Sequence, residues 1–144
     1  MFSGMYRFLL AIFPAAVLLA APASAQIGAP GLACPLSAKP VSRLELYFGA
    51  GRVNAPEVTR EQWEAFLDAE ITPRFPDGLT FVEARGQWRG ATGAIVRERS
   101  WLLIVMAPPG EASEASIEAI RSAWKSRFDQ DSVMRANSVA CVTF

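Results

Sequence analysis

Between Ser42 and Phe144 the apolar residues switch their spacing repeatedly, from every second residue to the 3.6-residue period of a helix and back. The order of those switches leaves few architectures open. Ser42 to Gly49 alternates, with Leu44, Leu46 and Phe48 on one face and Arg43, Glu45 and Tyr47 on the other, which predicts a half-buried strand. A loop follows, carrying Gly51, Asn54 and Pro56. Thr59 and Gln62 then stand at the spacing of a capping box, and Trp63, Phe66, Leu67 and Ile71 form one helical stripe that ends at Pro73. From Thr72 to Gly78 the chain is too proline-rich for regular structure and predicts a stiff connection turning at Asp77-Gly78.

Leu79 to Arg89 alternates again, setting Val82, Ala84, Gly86 and Trp88 against Glu83, Arg85, Gln87 and Arg89. Gly90 and Gly93 bracket a turn, and Ala94 to Met106 returns as the partner strand of a hairpin. Its second half, Trp101 to Met106, is apolar on both faces, which places it in the middle of a sheet. Ile117, Ile120, Trp124 and Phe128 mark a second helix from about Ser113 to Phe128, and Ser132 to Phe144 reads as a last strand.

Strand, helix, strand, strand, helix, strand is the order of the α+β, ferredoxin-like βαββαβ sandwich: a four-stranded antiparallel sheet with two helices on one face. In that topology the first strand lies beside the last and runs against it. Cys34 precedes the start of the first strand and Cys141 lies near the end of the last, so the fold brings the two sulfurs within bonding reach and predicts a Cys34–Cys141 disulfide. The pair lacks the close spacing of redox or metal sites.

The first twenty-five residues carry an address. Arg7 precedes an apolar run from Phe8 to Ala21, which closes on Ala23-Ser24-Ala25, the small-x-small pattern cut by signal peptidase. The expected organisation is a signal peptide over 1–25, an extended lead-in over 26–41 and one α+β domain over 42–144, in the periplasm or outside the cell. A second fate is lipidation at Cys34 after Gly31-Leu32-Ala33, although glycine stands where a larger aliphatic residue is usual. Without Arg7 the acidic residues exceed the basic by one, which argues against nucleic acid and against an anionic membrane once the leader is cut. Twelve of the fourteen basic residues are arginine, the side chain suited to planar, bidentate pairing with anions.

Leu46-Tyr47-Phe48-Gly49, the run Ile71-Thr72-Pro73-Arg74-Phe75-Pro76-Asp77-Gly78-Leu79-Thr80, and Gly86-Gln87-Trp88-Arg89 with Glu98 behind it resemble a family of exported bacterial proteins, the domain of unknown function 3574 family. The resemblance covers the mature domain and implies one small exported domain. It carries over no catalytic or binding residue.

Chemistry must therefore be read from the residues. The chain has no histidine, which removes the commonest general base and the commonest zinc or haem ligand. Ser100 has no evident activating partner, and Glu61 with Glu64 or Asp129 with Asp131 read as solvated surface. No glycine-rich phosphate cradle, metal cluster or cofactor motif is present. The sheet face opposite the helices remains, and it is expected to display Glu45, Tyr47, Glu83, Arg85, Gln87 and Arg89, with Arg97 and Arg99 or Glu98 according to register. The candidate ligand-binding residues are Tyr47, Arg74, Arg85, Gln87, Trp88, Arg89 and Glu98.

These residues suggest an exported small binding module for a polar or anionic ligand, without catalytic machinery or cofactor. The alternatives are self-association through the sheet face and a dimeric α/β-barrel enzyme in which Tyr47, Arg74 or Glu98 handles protons. Among the tryptophans, Trp63, Trp101 and Trp124 fall on core positions, and only Trp88 is a candidate for exposure.

Overall fold

The computed structural model describes residues 34–90 and 92–143; the expected leader and residues 26–33 of the lead-in lie outside them. The elements β1 (Lys39–Gly49), α1 (Arg60–Phe66), β2 (Thr80–Arg89), β3 (Ile95–Ala107), α2 (Glu111–Phe128) and β4 (Met134–Val142) follow in the predicted order. The strands form one antiparallel sheet in the order β2-β3-β1-β4, with the helices on one side. This is the ferredoxin-like sandwich.

Strand β1 begins at Lys39, earlier than the alternation at Ser42 announces. Lys39, Pro40 and Val41 pair with Val142, Cys141 and Ala140 of β4, whereas pairing with β3 starts only at Ser42. Pro40, which has no N–H to give, therefore sits where β1 has a neighbour on one side only. The disulfide Cys34–Cys141 closes this corner with the α-carbons 5.5 Å apart, as the antiparallel β1–β4 pairing requires.

Thr59 caps α1 as a complete capping box. Its hydroxyl accepts from the Gln62 N–H at 3.3 Å, and its own N–H donates to the Gln62 side chain at 2.9 Å. The helical turns widen at their end into a π-turn, Leu67–Ile71, where the Thr72 N–H reaches back to the Leu67 carbonyl at 2.9 Å. Pro73, without an N–H, stops them. Helix α2 carries Glu111 and Glu114 in its first turn and Lys125 and Arg127 in its last, each opposing the helix dipole with the favourable sign. It ends on Asp129 in a left-handed conformation at φ 54°.

The core is an aromatic stack. Trp63 of α1 lies parallel to Trp101 of β3 with centroids 5.1 Å apart and 3° between the planes. Trp124 of α2 stands edge-on to Phe48, Phe66, Trp63 and Trp101. Leu44, Leu46, Leu103, Val105, Ile117 and Ile120 complete it, all buried.

Cross-strand register decides which residues share a face, because directly opposed residues point the same way. Phe48 opposes Trp101 and Leu46 opposes Leu103, all four in the core. Across the next ladder Phe81 opposes Leu103 and Glu83 opposes Trp101, so Glu83, Arg85, Gln87 and Arg89 lie on the helix side. This corrects the sequence expectation that they join Glu45 and Tyr47 on the uncovered face. The reason is that the helices reach over β2 only as far as Glu83. Beyond it the helix side of the β2–β3 hairpin is open to water, and the charged row is solvated there rather than on the far side.

Candidate functional site

Arg85, Arg97 and Arg99 line a groove of about 820 Å³ between the overhanging β2–β3 hairpin and the segment leading into α1. Register sets Arg85 directly opposite Arg99 and Gln87 opposite Arg97, so Arg85, Arg97 and Arg99 occupy one cross-strand cell. Among the described residues Glu83 is the carboxylate in ion-pair range of that cell, 3.5 Å from Arg99 and 3.7 Å from Arg60, the first residue of α1, while Glu57 and Glu98 also line the groove. Among the described residues Arg85 and Arg97 have no hydrogen-bond or ion-pair partner, and Glu57 on the opposite wall engages neither. Like charges directly opposite are destabilising, and Glu83 offsets only the Arg99 member of the Arg85–Arg99 pair. The chemistry available is bidentate donation to a small anion.

The candidate residues read from the sequence divide into four groups. Arg85 and Gln87 belong to the groove. Arg89 spends its guanidinium on the hairpin turn, donating to the Gly93 carbonyl at 3.3 Å. Arg74 sits at the other end of the sheet, where it pairs with Glu70 at 3.0 Å and borders a small hollow of about 150 Å³ beside Pro108 and Ser113. Tyr47, Trp88 and Glu98 are on the uncovered face. The carboxylate pairs behave as surface: Glu64 bonds Arg60 at 2.9 Å, and Asp129 caps α2. Glu57 carries no sequence signal, because a loop has no periodicity from which a face can be inferred.

On the uncovered face two carboxylates are engaged within the chain. Glu45 accepts from Tyr47 at 2.7 Å and from Arg43 at 2.8 Å. The Tyr47 hydrogen bond, then the Arg43 one, holds the Glu45 carboxyl below the usual carboxylate range. The same bond to Glu45 raises the Tyr47 phenol above its ordinary value, so Tyr47 keeps its proton at neutral pH and is not poised as a base.

Glu98 accepts from the Gly51 N–H at 2.6 Å and from the Trp88 indole at 3.1 Å. Its carboxylate lies so close over the β1 exit that a β-carbon on Gly49 or Gly51 would stand 2.7 or 2.6 Å from it. Glu98 therefore ties the hairpin to the loop that forms the groove's far wall. Glu98→Gln and Gly51→Ala are each expected to cost about 1–2 kcal/mol, the first by weakening a charge-assisted bond and the second by evicting the same carboxylate. Urea unfolding of both single variants and the double is expected to give less than the sum, since both break one contact.

The domain so built, a four-stranded ferredoxin-like sandwich with an arginine-lined groove under its hairpin, is one that sequence comparison places. The chain belongs to the DUF3574 family, described as proteins of unknown function, whose profile matches residues 43–144. No curated protein matches it. Among solved structures it is similar to a phage SAM lyase in complex with S-methyl-5′-thioadenosine, at 18% identity and a TM-score of 0.56 over 72% of this chain and 90% of that one. It is also similar to a phage SAM lyase in the apo state, at 21% identity and a TM-score of 0.51 over 73% and 90%. At these identities the likeness establishes the shared fold.

Proposed function

We propose that this chain is an exported binding module that holds a small anionic ligand in the hairpin groove, with Arg85 and Arg97 as the donors and Arg99 as a third positive charge. The observation that carries the reading is that Arg85 and Arg97, side by side in the groove, have no hydrogen-bond or ion-pair partner among the described residues. An anion bridging Arg85 and Arg97 would give both unpaired guanidiniums charge-assisted hydrogen bonds. The groove's volume lies in the range of small-molecule sites. A structure of similar fold is known with a small molecule, S-methyl-5′-thioadenosine, which supports the scale of ligand such a domain accommodates. The leader pattern over Phe8 to Ala25 and the Cys34–Cys141 bridge support export to an oxidising compartment. Intact mass of the chain recovered from the periplasm tests that part: the expected product begins at Gln26 and carries no free thiol.

Calorimetric titration with inorganic phosphate, pyrophosphate and citrate tests the site, with S-methyl-5′-thioadenosine as an uncharged comparator. At least one anion is expected to bind, and Arg85→Gln or Arg97→Gln is expected to weaken it tenfold or more, since a hydrogen bond to a charged group contributes about 1.5–3 kcal/mol. Without ligand, Arg85→Gln is expected to leave stability unchanged or slightly raised, because it removes one member of the opposed pair. Absence of any anion binding, or binding indifferent to both substitutions, sinks the reading.

A further inference from the structure

We infer that the uncovered sheet face is the interface of a symmetric homodimer. This face lies across the sheet from the arginines of the groove. Its exposed side chains include the apolar Val82 on β2, Val96 and Met106 on β3, and Met134 on β4, with Val82 47% and Met134 59% accessible, beside the polar Lys39, Thr80 and Ser138. Between them Leu102 and Ile104 of the central strand β3 lie half-buried. The face keeps Glu45 and Tyr47, as the sequence expectation had it, but carries an apolar patch where the arginine row was expected.

Two observations select a second copy as the occupant. The first is charge. The strands place Lys39, Arg43, Glu45 and Glu98 on this face, two basic and two acidic residues, and Arg43, Glu45 and Glu98 are hydrogen-bonded within the chain. A face of zero net charge, with three of its four ionic groups hydrogen-bonded, can be laid on itself without net like-charge repulsion, as an isologous contact demands, and it offers no net counter-charge to an acidic or basic partner.

The second is area. Four strands about 4.8 Å apart, each about nine residues long at about 3.4 Å per residue, make a flat footprint of roughly 600 Å². Side-chain relief raises the accessible area toward the ~800 Å² per partner of a standard interface. Sheets packed face to face in this way keep their strands roughly aligned or crossed, with apolar side chains interdigitating between them.

The chain supplies its own probe. Of its four tryptophans, Trp63, Trp101 and Trp124 are fully buried, while Trp88 on this face is 51% accessible. Acrylamide quenching of intrinsic fluorescence therefore reads Trp88 almost alone. For the exported chain as purified, light scattering is expected to give the two-chain mass. The quenchable fraction is expected to fall as protein concentration rises through the dissociation constant.

Val82→Lys with Met134→Lys, both at exposed positions, is expected to raise the dissociation constant at least a hundredfold. It is also expected to restore Trp88 quenching and leave anion binding in the groove intact. If the doubly substituted chain does not fold, quenching against concentration in the unsubstituted chain decides. A single-chain mass at the highest soluble concentration overturns the inference, whether Trp88 is open or shielded by another part of the same chain. So does a dimer that the two lysines leave intact.

Discussion

Trp124→Ala is expected to lower the unfolding free energy by about 3–5 kcal/mol, enough to leave a domain of this size barely folded at 37 °C. Trp124 is the hinge of the aromatic core: it packs against Phe48 at 4.9 Å, Phe66 at 5.0 Å and Phe128 at 4.4 Å between ring centroids, and so joins β1, α1 and α2. Three elements lose their common contact at once. Trp124→Phe is expected to cost far less. The Trp124 indole N–H, like that of Trp63, is buried without a hydrogen-bond acceptor among the described residues. Removing it recovers part of the roughly 1–3 kcal/mol that an unsatisfied buried donor costs. Urea unfolding monitored by circular dichroism separates the two cases, and an alanine variant no weaker than the phenylalanine one would contradict the packing account.

Replacing both Cys34 and Cys141 by serine is expected to cost about 2–5 kcal/mol. The bridge spans 107 positions, so the open chain regains the entropy of nearly the whole domain when it is lost. With about 4 °C of midpoint per kcal/mol at this length, the melting temperature is expected to fall by roughly 10–20 °C. Reduction of the unsubstituted chain before a thermal scan is expected to reproduce that shift, and a midpoint indifferent to reductant would show that β1–β4 pairing holds the corner unaided. The strength of this effect matters for the groove as well, because β1 leads directly into the loop that Glu98 fastens at Gly51.

The order and kind of elements could be read from spacing alone. Leu44, Leu46 and Phe48 at period two, then Trp63, Phe66 and Ile71 at helical period, are statements about one segment each, and burial confirms every one of them. The disulfide was legible for a different reason. It needs only topology, since antiparallel β1–β4 pairing brings a residue before one strand next to a residue near the end of the other. Strand ends were less legible. Pro40 reads as a breaker, yet it joins β1 because that part of β1 has a neighbour on one side only.

The candidate site was legible by composition and misplaced by geometry. Alternation states that Glu83, Arg85, Gln87 and Arg89 share a face, and the structure agrees. It cannot state which face is covered, because a strand's two sides are equivalent until another element packs against one of them. On β2 the usual clue misleads: Val82, Ala84 and Trp88 form the more apolar set, yet they point away from the helices, and Phe81 is the β2 residue packed against the core.

Sequence by itself determined the succession of strands and helices, the tryptophan core, the bridged cysteines and the membership of one row of arginines, because each follows from local period or from chain connectivity. Only the tertiary structure decided that this row lies under the hairpin and that an apolar patch of the sheet is left bare. Both depend on how far two helices extend across the strands, a matter of packing lengths between segments remote in the chain.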